Sequence, residues 1–151
     1  MKKWIVITAI LMMSVVLMAC SSEEITKGSF SQESINIEME ITSEDDVVNR
    51  LVQRSVMDLE PFDEAQREQV RELVKSAAAQ FEVVEGVSYN TTDEANKLEE
   101  LVEINITEEN FATLKERGII PLDNAQADFI SLKATKDNLK QTGWVFEGDE
   151  D

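Results

Sequence analysis

The sequence predicts an α+β domain: an antiparallel β-sheet, made of a meander plus a hairpin, with about three helices packed on one face. Three observations predict it. Ile35, Ile37, Met39 and Ile41 alternate with Asn36, Glu38, Glu40 and Thr42, the period of a strand with one buried and one wet face. Val70, Leu73, Val74, Ala77, Phe81 and Val84 fall on one stripe at helical spacing, while Arg67, Glu68, Arg71, Glu72 and Lys75 face outward. Finally, turn and cap residues fall between these runs rather than inside them.

Taken in order, order begins near Lys27. Ser29 to Ser31 make a short first strand, and Gln32, Glu33 and Ser34 a turn into the alternating strand. After a polar turn from Ser43 to Asp46, Val47 to Met57 carry valines at fours, with Leu51 and Met57 on the other parity. A long, two-sided strand pairing back on its predecessor fits this pattern, a helix being the alternative. Pro61, Asp63 and Glu64 then mark a helix start, the acids complementing the helix dipole, and Gly86 its stop. In that helix Leu73 is expected in the core.

Val87, Tyr89 and Thr91 lead into a turn at Asp93, Glu94, Ala95 and Asn96. Leu98, Glu100, Val102, Ile104 and Ile106 then alternate with more polar neighbours, which completes a hairpin. Thr107 caps a short helix with Glu108 and Glu109 in its first turn, Phe111 and Leu114 inward, and Lys115, Arg117 and Gly118 at its end. An extended connection from Ile119 to Leu122 and a loop from Asp123 to Asp128 follow. Ser131 or Thr135 caps a last helix with Leu139 inward, and Gly143 precedes an edge strand at Trp144 to Phe146. Residues 147–151 are too acidic to pack and are expected to be disordered.

The N-terminus gives an address. Lys2 and Lys3 precede an apolar run from Trp4 to Val16, shorter than the roughly 20 residues a membrane-spanning helix needs, and the chain turns polar at Ser21. Leu17, Ala19 and the lone Cys20 resemble a bacterial lipobox, with Met18 where a smaller residue is usual. That resemblance implies that the Cys20 sulfur receives a diacylglycerol. It also implies that a peptidase recognising Leu17 and Ala19 cuts before Cys20, leaving the protein at the cell membrane on its extracytoplasmic face. The expected organisation is a signal over 1–19, a lipidated tether over 20–26, a domain over 27–146 and the acidic tail over 147–151.

Charge and composition narrow the function. Taking the two signal lysines from the 14 basic residues leaves 12 against 31 acids, a formal charge of −19 on the mature chain. Such a surface disfavours nucleic acid, whose binding needs clustered cations, and keeps the domain off anionic lipid. The chain has no histidine, and its one cysteine is the lipidation candidate. The usual general base, the commonest metal ligand and any disulfide are therefore absent, and no cofactor or catalytic residue is assigned.

The segment from Gly86 through Glu103, Ile104, Asn105, Ile106 and Thr107 to Gln141, Thr142, Gly143, Trp144 and Val145 resembles the YehR-like lipoproteins, a bacterial family whose domain has no known function. The resemblance implies a β-meander, a helix ending at Gly86, a hairpin, a strand running into a capped helix, and a short helix closing on Gly143. It carries over no functional residue beyond Cys20.

Three function classes follow. First is a non-catalytic, lipid-anchored domain that binds an envelope protein or small ligand. Second is a divalent-cation binder using Glu44, Asp45 and Asp46, Asp93 and Glu94, or the tail; none of these has the ligand-and-glycine pattern of a calcium loop. Third is a carboxylate-dependent hydrolase. Tyr89, Trp144 and Phe146 are candidates to line a ligand site, or else core residues.

Overall fold

The computed structural model describes residues 22–120 and 126–149. Leu17, Ala19 and Cys20 lie outside the described residues, as do Pro121 to Ala125 of the expected connection and loop, and the last two acids of the tail. Among the described residues no helix is long and apolar enough to cross a membrane.

Six strands and three helices follow in the order β1 (Glu24–Gln32), β2 (Ile35–Glu44), β3 (Val47–Asp58), α1 (Glu64–Phe81), β4 (Val87–Glu94), β5 (Lys97–Asn105), α2 (Glu108–Glu116), α3 (Leu132–Gln141) and β6 (Val145–Phe146). They form one open antiparallel sheet of order β4-β5-β3-β2-β1-β6 with the helices beside it, an α+β fold. Val47 to Met57 are strand and not helix.

Register explains the meander. Thr26, Ile41, Leu51, Ile104 and Val87 stand in one row across five strands, so four apolar side chains and a threonine share one face of the sheet. Ile41, Val48, Leu51 and Ile104 are buried there together with Leu114, Ile120, Ile130 and Phe146. Phe146 closes one edge: its ring lies over Gly28, where an added Cβ would come within 2.6 Å of it.

The other face is open and charged. Lys27 pairs with Glu40 (3.2 Å), Arg54 with Glu38 (3.9 Å) and Glu99 (2.6 Å), and Arg50 with Glu103 (3.0 Å). The Arg54 and Lys97 hydrogen bonds hold the Glu99 carboxyl below its usual range, and the Arg50 bond does the same for Glu103. Between these pairs lie the half-buried Val52 and Val56, which accounts for the two-sided pattern of β3: arginine and glutamate stems shield them without a second layer.

Three expectations are corrected. The strand expected from Ser29 begins at Glu24, so the tether is shorter than residues 20–26. Its polar start pairs backbone to backbone, Glu24 opposite Ser43 and Ile25 opposite Thr42, and this pairing needs no apolar side chain. Secondly, Leu73 is 66% exposed, and α1 contains no buried residue. The helix turns a narrow face of Arg67, Val70, Arg71, Val74, Ala77 and Phe81 inward, with Arg67 bonded to Asn96 (3.0 Å) and Arg71 to Asp93 (2.9 Å) in and beside the β4–β5 turn. Thirdly, the tail is attached as far as Asp149, which meets Lys136 (3.3 Å) and Lys140 (2.7 Å), while the Glu147 amide donates to the Lys27 carbonyl (2.9 Å).

Local caps set the helix ends. Asp63 and Gln66 form a reciprocal capping box at α1, as Thr107 and Asn110 do at α2. Asn110 is buried, and its amide donates to the carbonyls of Asn105 (2.8 Å) and Glu85 (3.3 Å), tying α2 to the turn at Gly86. Ser131 caps α3.

Asp46, in the tight β2–β3 turn, reaches the same helix end. Its carboxylate accepts from the Lys133 amide (2.8 Å) and the Ser131 hydroxyl (2.7 Å). These two bonds, the amide first, lower the Asp46 pKa. A group depressed in the folded state stabilises fully above its unfolded pKa, near 3.8, and loses that contribution as pH falls through the lower folded value. Asp46→Asn tolerates the positive φ of 71° at this position and removes only the charge. It is expected to cost about 0.3 to 1 kcal/mol at neutral pH, the range for a negative charge at a helix N-terminus. In paired denaturant titrations the gap from wild type should close as the pH falls below 3.8; a gap of constant size would show that the carboxylate charge is not the stabilising element.

Candidate functional site

The helices do not seal the sheet. A cavity of about 260 Å³ lies between the covered face, the C-terminal half of α1 and the inner side of α3. Strand alternation places its floor: Met39 from β2, Leu51, Gln53 and Ser55 from β3, Glu100, Val102 and Ile104 from β5, and Tyr89 from β4 all point to the covered face. Ala77 and Phe81 supply the α1 wall, Thr135 and Leu139 the α3 wall, and Ile119 the side nearest α2.

The register also sorts the lining by polarity. Leu51 and Ile104 stand opposite each other in the row of Ile41 and make the apolar end of the floor, while Ile119 and Leu139 add apolar surface to the walls. Two residues further along the strands, Gln53 is opposite Val102 and Val102 opposite Tyr89; two further still, Ser55 is opposite Glu100. At this polar end Gln53 donates to Ser55 (3.2 Å), and the Tyr89 hydroxyl donates to Glu100. The Phe81 ring stacks on Tyr89 at 5.3 Å between centroids, 22° between planes. Burial, then the bond to Glu100, raises the Tyr89 pKa, so the phenol stays neutral and a donor.

Of the three aromatics expected near a ligand, only Tyr89 reaches the cavity. Trp144 packs beside Phe30 at 5.9 Å, and Phe146 is buried at the β1 edge with Lys136 over its ring at 5.2 Å. The acidic turns have protein partners: Asp46 holds α3, Asp93 holds Arg71, and Asp149 holds two lysines. Among the described residues no group of three or more acidic, histidine or cysteine side chains is placed to hold a metal. Glu100 is the carboxylate that sequence inspection passes over as a site residue. Its signal is its parity, since it shares the inward positions of β5 with Leu98, Val102 and Ile104.

An open antiparallel sheet with one face roofed by helices defines the class: a two-layer α+β fold. The chain belongs to the family described as Protein of unknown function (DUF1307), whose model matches residues 26–145. The NMR structure of the Escherichia coli YehR protein is similar to it, with a TM-score of 0.63 at 15% identity over 87% of this chain and 96% of that one. The NMR structure of a protein from Streptococcus pneumoniae TIGR4 gives a TM-score of 0.50 at 15% identity, over 81% and 84% of the two chains. At such identity these likenesses show the fold. No curated protein matches the sequence.

Proposed function

We propose that this chain is a lipid-anchored binding domain of the bacterial envelope, held through Cys20 at the extracytoplasmic face, that takes a small ligand into the cavity without turning it over. The carrying observation is the cavity itself, apolar at the Leu51 and Ile104 end and polar at the Ser55 and Glu100 end, on a rigid sheet floor. Turnover is disfavoured by the lining, where Glu100 is the one carboxylate among the described residues. Hydrolysis of a glycoside would call for two. Nor does the lining hold a histidine, cysteine or lysine to serve as base or nucleophile.

Anchoring is tested by Cys20→Ala, which should abolish incorporation of labelled palmitate and release the protein from membranes; equal labelling of the two forms would end the lipoprotein reading. Binding is tested on the full chain with a panel of small apolar amines, alcohols and carboxylates. A ligand at 100 times its dissociation constant raises unfolding stability by about 2.7 kcal/mol. Ala77→Phe, which fills the cavity from the α1 wall, should remove that gain. Stabilisation that survives Ala77→Phe places the ligand elsewhere, and no stabilisation by any panel member overturns the binding reading.

A further inference from the structure

We infer that the cavity selects an organic ammonium ion with a compact apolar body, seated with its cationic head at Glu100; this rests on the binding reading above. The two faces of the sheet treat their carboxylates differently. On the open face Glu38, Glu40, Glu99 and Glu103 each have a lysine or arginine within 4 Å. On the covered face Glu100 is half-buried, takes a hydrogen bond from the Tyr89 hydroxyl, and has no salt bridge among the described residues.

Removing a carboxylate from water without a countercharge is costly, and one neutral donor offsets only part of that cost. A cation arriving in the cavity supplies the missing partner. Tyr89, held neutral beside it, gives its hydrogen bond to one oxygen and leaves the other carboxylate lone pairs available. The stacked rings of Phe81 and Tyr89 border the same end, and aromatic surfaces attract cations. An anionic ligand meets Glu100 and the charge of −17 on the whole chain, so fatty acids and phosphates are opposed.

Size and polarity fix the rest of the ligand. At roughly 30 Å³ for each non-hydrogen atom, taking the share of a liquid water, the cavity of about 260 Å³ holds about nine such atoms. Since Leu51 and Ile104 line the far end of the floor, and Val102, Ile119 and Leu139 add apolar surface around it, those beyond the ammonium group are carbon. Small arylalkyl or alkyl amines fit this description. Long lipids do not.

Titration calorimetry of the full chain in nonionic detergent, with phenethylamine, 2-phenylethanol and phenylacetate as size-matched probes, tests the inference. Phenethylamine should bind at least about 10-fold more tightly than the alcohol, the lower bound for a hydrogen bond to a charged group, and phenylacetate should not bind. Glu100→Gln keeps an acceptor for Tyr89 and removes the charge, so it should abolish the preference for the amine while leaving the melting temperature of the free protein near wild type. If Glu100→Gln unfolds the chain, the probe comparison on wild type and Ala77→Phe still decides. Equal binding of amine and alcohol, or undiminished amine binding by Glu100→Gln, overturns the ammonium assignment and leaves cavity binding standing. Failure of all three probes, with a plugged variant behaving as wild type, overturns both.

Discussion

Leu114→Ala is expected to lower the unfolding free energy by about 2 to 5 kcal/mol, the combined cost of lost transfer energy and an unfilled cavity. Leu114 is 0% exposed at the centre of the buried cluster, where α2 meets the row of Ile41, Leu51 and Ile104. The matched control is Leu73→Ala, at 66% exposure on the outer side of α1. Surface changes of this kind stay within about 0.5 kcal/mol. Chemical denaturation of the two variants beside wild type reads the difference directly. A loss at Leu73 equal to that at Leu114 would mean that α1 turns its Leu73 side toward the sheet.

Gly86→Ala has the second large effect. Gly86 has φ +83°, and a Cβ there would sit 2.3 Å from the Asn110 amide nitrogen and 2.7 Å from the Asn105 carbonyl oxygen. Backbone strain of this type costs about 1 to 3 kcal/mol before any clash is counted. The clash falls on the buried amide that holds α2 to the Gly86 turn, so Asn110 must leave its carbonyl partners or the turn must open. Combining Gly86→Ala with Asn110→Ala should therefore cost less than the sum of the single losses. Strict additivity in thermal melts would show that the two residues do not share one constraint.

The elements were legible wherever local chemistry and tertiary burial pointed the same way. The β2 alternation and the Thr107 cap with Leu114 inward follow from short-range rules that the sheet then uses, and the turn expected over Asp93 to Asn96 narrows to Ala95 and Asn96 because β4 pairs on through Glu94. Leu73 was misread because helical spacing defines a stripe wide enough to include it, whereas a helix lying toward the β4 side of the sheet buries a narrower one. Arg67 and Arg71 read as solvent-facing for the same reason; their partners Asn96 and Asp93 are more than 20 residues away. The tail was misread because its anchor, Lys136 and Lys140 one helical turn apart, lies on another element. As for the site, Tyr89 was legible as a candidate. Glu100 was visible only as an acid at an inward position, with nothing local to say that a cavity would stand above it.

The early start of β1 sets a height and a posture. If Cys20 is lipidated as proposed, only residues 20–23 separate the membrane from a hydrogen-bonded strand, a leash no longer than about 14 Å at 3.3 to 3.6 Å per residue. Glu24 pairs with Ser43, so the leash leaves the sheet beside the Glu44, Asp45 and Asp46 turn. That acidic end is thereby hung close to the head groups, near enough for anionic lipid to push it outward across a Debye length of about 8 to 10 Å. A short leash and a repelled lower end together stand the sheet upright. The Ser55 and Glu100 end of the cavity, in the row of Phe30 and Ile37, is then carried on the side away from the bilayer, turned toward whatever diffuses in from outside.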